Sequence, residues 1–201
     1  MHISEGILSP PVLAAGASLA VVGVAYGLKR MDMESIPKVG MLSSAFFVAG
    51  LIHVPIGPAS VHLVLNGLMG VLLGWAAFPA IAVALALQAM LLQYGGFTAL
   101  GVNILNMAVP AVVCHYLFRG LISRPGMGGT VAAGFACGFA AITLSVLGVA
   151  AVLVFTDQAF VTPVKVVLAA NVPVMAVEGI ITAFALVFLK KVRPEILEVR
   201  R

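Results

Sequence analysis

Residues 130–154 read TVAAGFACGFAAITLSVLGVAAVLV, without one charged side chain. A helix that crosses the hydrocarbon core of a bilayer needs about 20 mostly apolar residues, so this stretch is long enough to span one. The rest of the chain has the same character. Of 201 residues, 62% are hydrophobic and 9% are charged, against roughly 45–50% and about 25% in ordinary soluble domains. That composition excludes a soluble globular protein, a disordered chain and a disulfide-stapled secreted domain. It leaves an integral membrane protein with room for about six to eight spans and none for a separate nucleotide-binding or catalytic domain.

Six more apolar segments flank this one, at 8–28, 39–54, 61–78, 79–94, 99–118 and 171–189. Proline ends or kinks a helix because it lacks the N–H and clashes with the preceding turn. Pro55 is therefore expected to end the second segment, and Pro79 to separate the third from the fourth. The expected fold is all-α, a seven-transmembrane-helix bundle in a single domain, 1–201. Basic residues orient it. With the N-terminus outside and the C-terminus cytoplasmic, ten of the eleven Lys and Arg fall on the cytoplasmic side, and only Lys165 falls outside. Residues 190–201 then form a basic cytoplasmic tail. The first charge is Glu5, and Lys29-Arg30 follow the apolar run, the reverse of a cleavable signal. The N-terminal segment is expected to be retained. Cys114 and Cys137 read as small buried hydrophobes. Gly23/Gly27, Gly70/Gly74 and Gly134/Gly138 have close-packing spacing. Ala14-x-x-x-Ser18 is a candidate docking stripe for another membrane subunit.

Polar side chains inside spans are costly, so each marks a candidate function. His53, His62 and Asn66 lie near the outer ends of segments two and three. Gln88, Asn103 and Asn106 flank the Gly95-Gly96 turn, and Asn171 and Glu178 lie on segment seven. Glu178 reads as an inter-helix hydrogen-bonding group or as support for a cation site. The three amides read as helix–helix contacts or as a polar cluster. Ser60 is expected to cap a helix, with His62 in its first turn. His115, beside Arg119, reads as an interfacial histidine.

The N-terminus adds to this set. The Met1 amine, the His2 amide nitrogen and the His2 imidazole Nδ1 can close fused chelate rings, which puts three nitrogens in one plane. His62 could supply a fourth. Planar nitrogen coordination suits Ni(II) or Cu(II), and Co(II) can be accommodated.

Met1-His2-Ile3-Ser4-Glu5-Gly6-Ile7-Leu8-Ser9 resembles the start of the cobalt/nickel substrate-binding S-components, of CbiM/NikM type, of energy-coupling factor (ECF) transporters. Ser60-Val61-His62-Leu63 is similar to that family's histidine motif. The blocks from Gln88 to Leu92, Gly95-Gly96 and Ala99 to Met107 resemble its central signature. Glu178 to Ala183 and Val192 to Leu197 resemble its C-terminal ones. The resemblance implies a seven-helix subunit whose residues 1–7 plug into the bundle. It implies metal ligands at Met1, His2 and His62, and places His53, Ser60, Asn66, Gln88, Asn103, Asn106 and Glu178 as candidates for further ligands or supporting groups. It also implies partners: a transmembrane T-component, two cytoplasmic ABC ATPases that supply ATP hydrolysis, and a small accessory membrane subunit. The bound substrate ion would be Ni2+ or Co2+, with a lean to Ni2+, and there would be no cofactor, no catalytic residue and no nucleic acid. The setting is the bacterial or archaeal cytoplasmic (inner) membrane. Three positions depart from the pattern: the loop from Pro55 to His62 is one residue short, His53 replaces an asparagine, and Tyr94 replaces an aspartate. The alternative function is a self-sufficient, cation- or proton-coupled carrier using Glu178 and the amides. No H-E-x-x-H, G-x-S-x-G or close carboxylate pair points to an enzyme.

Overall fold

The computed structural model describes residues 2–56, 59–124 and 126–197, and of 53–56 and 59–61 only the backbone. Met1, the side chains of His53 and Ser60, and Arg200 and Arg201 lie outside the described residues. The elements are α1 Pro10–Lys29, α2 Ile36–Ala49, β1 His53–Ile56, β2 Ala59–His62, α3 Asn66–Leu73, α4 Ala77–Leu92, α5 Leu100–Ile122, α6 Met127–Thr156 and α7 Val161–Val192. Among the described residues, five helical stretches, with 66–92 taken as one, are long and apolar enough to cross a membrane.

Contacts sort the helix ends into two groups. His2 lies against both His62 and Tyr94, and Ile3 is bonded to Asn103 near the start of α5. Residues 2–8, the hairpin and the turn before α5 therefore share one end. At the other end, Lys38 Nζ donates to the Leu72 carbonyl at 2.8 Å. Lys190 Nζ there donates to the Ile122 carbonyl at 2.9 Å and to Thr130 Oγ1 at 2.6 Å. Since His62 and Tyr94 meet the same histidine, the chain between them must leave that end and return. The reversal falls at Gly74–Ala76, where Gly74 has φ +56°, a conformation that glycine adopts without a Cβ clash.

Several expectations need correcting. The second apolar segment does not stay helical to Val54. Its helix stops at Ala49, and 53–62 form an antiparallel hairpin with His53 opposite His62, so the described residues are not purely α-helical. Pro55, which has no N–H, fits a two-stranded edge but not a helix interior. Ser60 and His62 belong to β2, not to a helix cap and first turn, because α3 starts only at Asn66. The third and fourth segments part at Gly74 rather than at Pro79. Pro79 falls in the first turn of α4, where its missing N–H would have no intrahelical partner in any case. The seventh segment starts earlier than residue 171: α7 begins at Val161 and includes Lys165.

The glycine pairs pack inside the bundle. A Cβ at Gly138 would lie 2.5 Å from the Glu178 carbonyl, and one at Gly134 2.8 Å from Ala183 Cα, which brings α6 and α7 into backbone contact. A Cβ at Gly70 would lie 1.9 Å from the Ala111 carbonyl oxygen, so α3 is pressed against α5. Cys137 Sγ on α6 reaches the Gly67 carbonyl, and His115 on α5 reaches the Gly70 carbonyl. These helices hold the short α3, and the hairpin before it, in a fixed place. Ala14 and Ser18, by contrast, lie on the exposed face of α1.

Candidate metal site

His2 and His62 come together at the N-terminal end of the bundle. Their ring centres are 4.7 Å apart and their planes 18° apart. A metal–nitrogen bond of about 2.0–2.1 Å puts an imidazole centre roughly 3 Å from the ion, so two neighbouring imidazole ligands have centres about 4–5 Å apart. The observed pair has that spacing. His62 is 3% exposed. Its Nδ1 lies 3.1 Å from the Leu63 carbonyl, to which an Nδ1–H would donate, and that tautomer carries its lone pair on Nε2. His2 Nε2 is buried with no hydrogen-bond partner. Burial, and then the positive charge of the N-terminus, lower the His2 pKa to about 3. The imidazole is thus neutral at physiological pH, the form that binds metals.

The N-terminal segment is fastened by its backbone. The Ile3 N–H donates to Asn103 Oδ1 at 2.9 Å, and Asn103 Nδ2 donates to the Ile3 carbonyl at 3.1 Å. One side-chain amide thereby fixes the register of the residue next to His2. Glu5 Oε1 accepts the Thr98 N–H at 3.0 Å. Gly95 and Gly96 make room for both contacts. A Cβ at Gly95 would sit 2.8 Å from Asn103 Nδ2 and 3.3 Å from the His2 Cβ, and one at Gly96 would strike Glu5 at 2.0 Å. Ile3 and Leu8 bury themselves with Val102 and Val149, which anchors the segment between α5 and α6.

Glu178 positions the other histidine. From α7 its carboxylate accepts the Val64 N–H, and its two oxygens lie 3.0 and 3.1 Å from the Leu65 nitrogen. Leu65 has φ +57°, so this linker needs outside support. Asn66 is fully buried and its Nδ2 donates to Ser145 Oγ at 2.9 Å. The other two amides do not join the histidines. Gln88 Nε2 bonds the Phe47 carbonyl between α4 and α2. Asn106 packs against Gly148 on α6, with both amide atoms lacking hydrogen-bond partners. Ser145 escaped notice in the sequence, although a hydroxyl in so apolar a run is itself a signal. Thr98 contributes only its backbone N–H, which no residue type advertises.

A removal test follows from Asn103. Asn103→Leu is expected to weaken metal binding by about 10–100-fold, the usual cost of losing a supporting group, measured by competition titration. Wild-type affinity in this variant would show that the segment is held elsewhere.

Residues 2–196 match the family model described as the cobalt uptake substrate-specific transmembrane region, CbiM. The chain belongs to the CbiM family. Among similar CbiM-like proteins, a putative metal transport protein of Haemophilus influenzae is 43% identical, with 98% of this chain and 97% of that protein aligned. The cobalt transport protein CbiM of Sorangium cellulosum is 32% identical over 98% of this chain and 95% of its own length. The putative fused nickel transport protein NikMN of Archaeoglobus fulgidus is also 32% identical, and this chain covers 68% of it. A crystal structure of a truncated transition metal transporter shares the fold, with a TM-score of 0.70 over 95% of this chain and 99% of that one at 24% identity. As a CbiM-family member, the chain is a substrate-specific membrane component of metal uptake, multi-pass and not an enzyme.

Proposed function

We propose that the chain captures Ni2+, or less favourably Co2+, at the outer face of a cytoplasmic (inner) membrane and presents it to an ECF-type importer. The observation that carries this reading is the His2–His62 pair at 4.7 Å, with residue 3 clamped by Asn103. Met1 amine, the His2 amide and imidazole, and His62 form the ligand set. His53 remains a candidate further ligand.

Seven spans with the N-terminus outside account for the sidedness. The end with residues 2–8 is nearly free of basic residues, while Lys29, Arg30, Lys38, Arg119, Arg124 and Lys190 gather at the other. A transmembrane T-component, two ABC ATPases and a small accessory membrane subunit are the proposed partners, with the Ala14–Ser18 face as one contact.

Reconstitution separates this reading from a self-sufficient carrier. Untagged protein alone in vesicles is expected to bind Ni2+ yet not accumulate it, and uptake should require the ATPase partners and ATP. Accumulation driven by a proton or cation gradient without them would establish the carrier instead.

A further inference from the structure

We propose that Tyr94 is a specificity-determining residue of this site: its ring, set against His2, keeps carboxylate and water oxygens from the ion and so favours Ni2+ over Co2+. The inference rests on the metal-capture reading above.

The Tyr94 ring centre is 6.0 Å from that of His2, with the planes tilted by 32°. Its backbone is held on both sides. Gln93, Gly95 and Gly96 have φ of +57°, +77° and +94°. The Tyr94 N–H donates to the Gln88 carbonyl at 3.3 Å, and the Gly96 N–H to the Tyr94 carbonyl at 2.9 Å. A left-handed conformation at a non-glycine residue is uncommon, so this turn is shaped to hold the ring where it is. A Cβ on Gly95 would come 3.5 Å from His2 Nδ1, which places the turn directly beside a proposed ligand atom.

The carboxylates of this end are engaged elsewhere. Glu5 accepts the Thr98 N–H, Asp157 the Ala159 N–H, and Glu178 the N–H groups of Val64 and Leu65. The side chain beside His2 is therefore aromatic where an acidic one would offer oxygen. Nitrogen donors in a plane suit Ni(II), whereas carboxylate and water ligands suit cations of higher coordination number. An acidic side chain at position 94 would add a hard donor and draw in water. The phenol ring beside His2 brings no carboxylate to that place.

The test uses untagged wild type with Tyr94→Phe, Tyr94→Asn and Tyr94→Asp, titrated with nickel chloride and cobalt chloride in competition. Visible ligand-field spectra of each complex are recorded alongside. Tyr94→Phe should keep the wild-type preference and a planar Ni2+ spectrum. Tyr94→Asp should lower the Ni2+:Co2+ affinity ratio by about tenfold or more and give a spectrum of higher coordination. Tyr94→Asn should move both the same way by less, and it carries the test if the aspartate variant does not fold. Wild-type ratios and spectra in the Asp and Asn variants would overturn this inference alone. A wild-type protein that binds neither ion would overturn the metal-capture reading with it.

Discussion

Adding a residue before Met1 should weaken Ni2+ binding by more than about 100-fold, beyond the 10–100-fold typical of losing a supporting group. The proposed chelate uses the terminal amine and the amide and imidazole of the second residue. An extension converts that amine to a peptide nitrogen, which binds a metal only after losing its proton, and displaces the new terminal amine by one residue from the donor position. The plug has little slack to compensate. Asn103 holds both the N–H and the carbonyl of Ile3, so the histidine cannot slide to a new register without breaking two hydrogen bonds. His2→Ala should be as severe, because it removes the imidazole outright. His62→Ala should lose the fourth nitrogen and with it the planar spectrum. Metal content of purified untagged and extended proteins, followed by competition titration, measures all three. An extended protein that binds as tightly as the native one would refute the terminal-amine mechanism, and full affinity in His62→Ala would remove that ligand.

Glu178→Leu should be the most damaging single change away from the ligands. Glu178 is fully buried, and its carboxylate accepts the N–H groups of Val64 and Leu65. Leucine would leave the buried Val64 N–H unpaired, at about 1–3 kcal/mol, and the part-buried Leu65 N–H at less. It would also release the linker between β2 and α3, and His62 ends β2. The expected result is a lower melting temperature in detergent together with weaker Ni2+ binding. Glu178→Gln keeps one acceptor oxygen and should restore part of both. If the leucine variant melted and bound metal like wild type, Glu178 would not be positioning His62.

The candidate site was legible in the sequence to the extent that it consists of costly residues. A buried carboxylate, buried amides and histidines near span ends stand out in a chain so poor in charge, and Glu178, Asn66, Asn103 and His62 stand out that way, while His2 is marked by its place next to the terminal amine. What each holds could not be read. Glu178 and Val64 are far apart in sequence, and only the packing of α7 against the linker before α3 brings the carboxylate to those N–H groups. Gln88 and Asn106 look like Asn103 in sequence, yet they serve helix contacts away from the histidines. The hairpin was missed because Val54, Ile56 and Val61 are as apolar as a span. Short apolar runs do not distinguish strand from helix.

Sequence alone determined that the protein is apolar enough to live in a bilayer and that basic residues gather at one end. Those properties are sums over many apolar and charged side chains, so single errors of placement do not disturb them. Tertiary structure decided which nitrogens meet. The His2–His62 pairing depends on Asn103 fixing the backbone at residue 3, on Gly95 and Gly96 clearing space, and on Glu178 supporting the linker after His62. These are a few hydrogen bonds and close approaches between segments remote in the chain, and no local pattern encodes them.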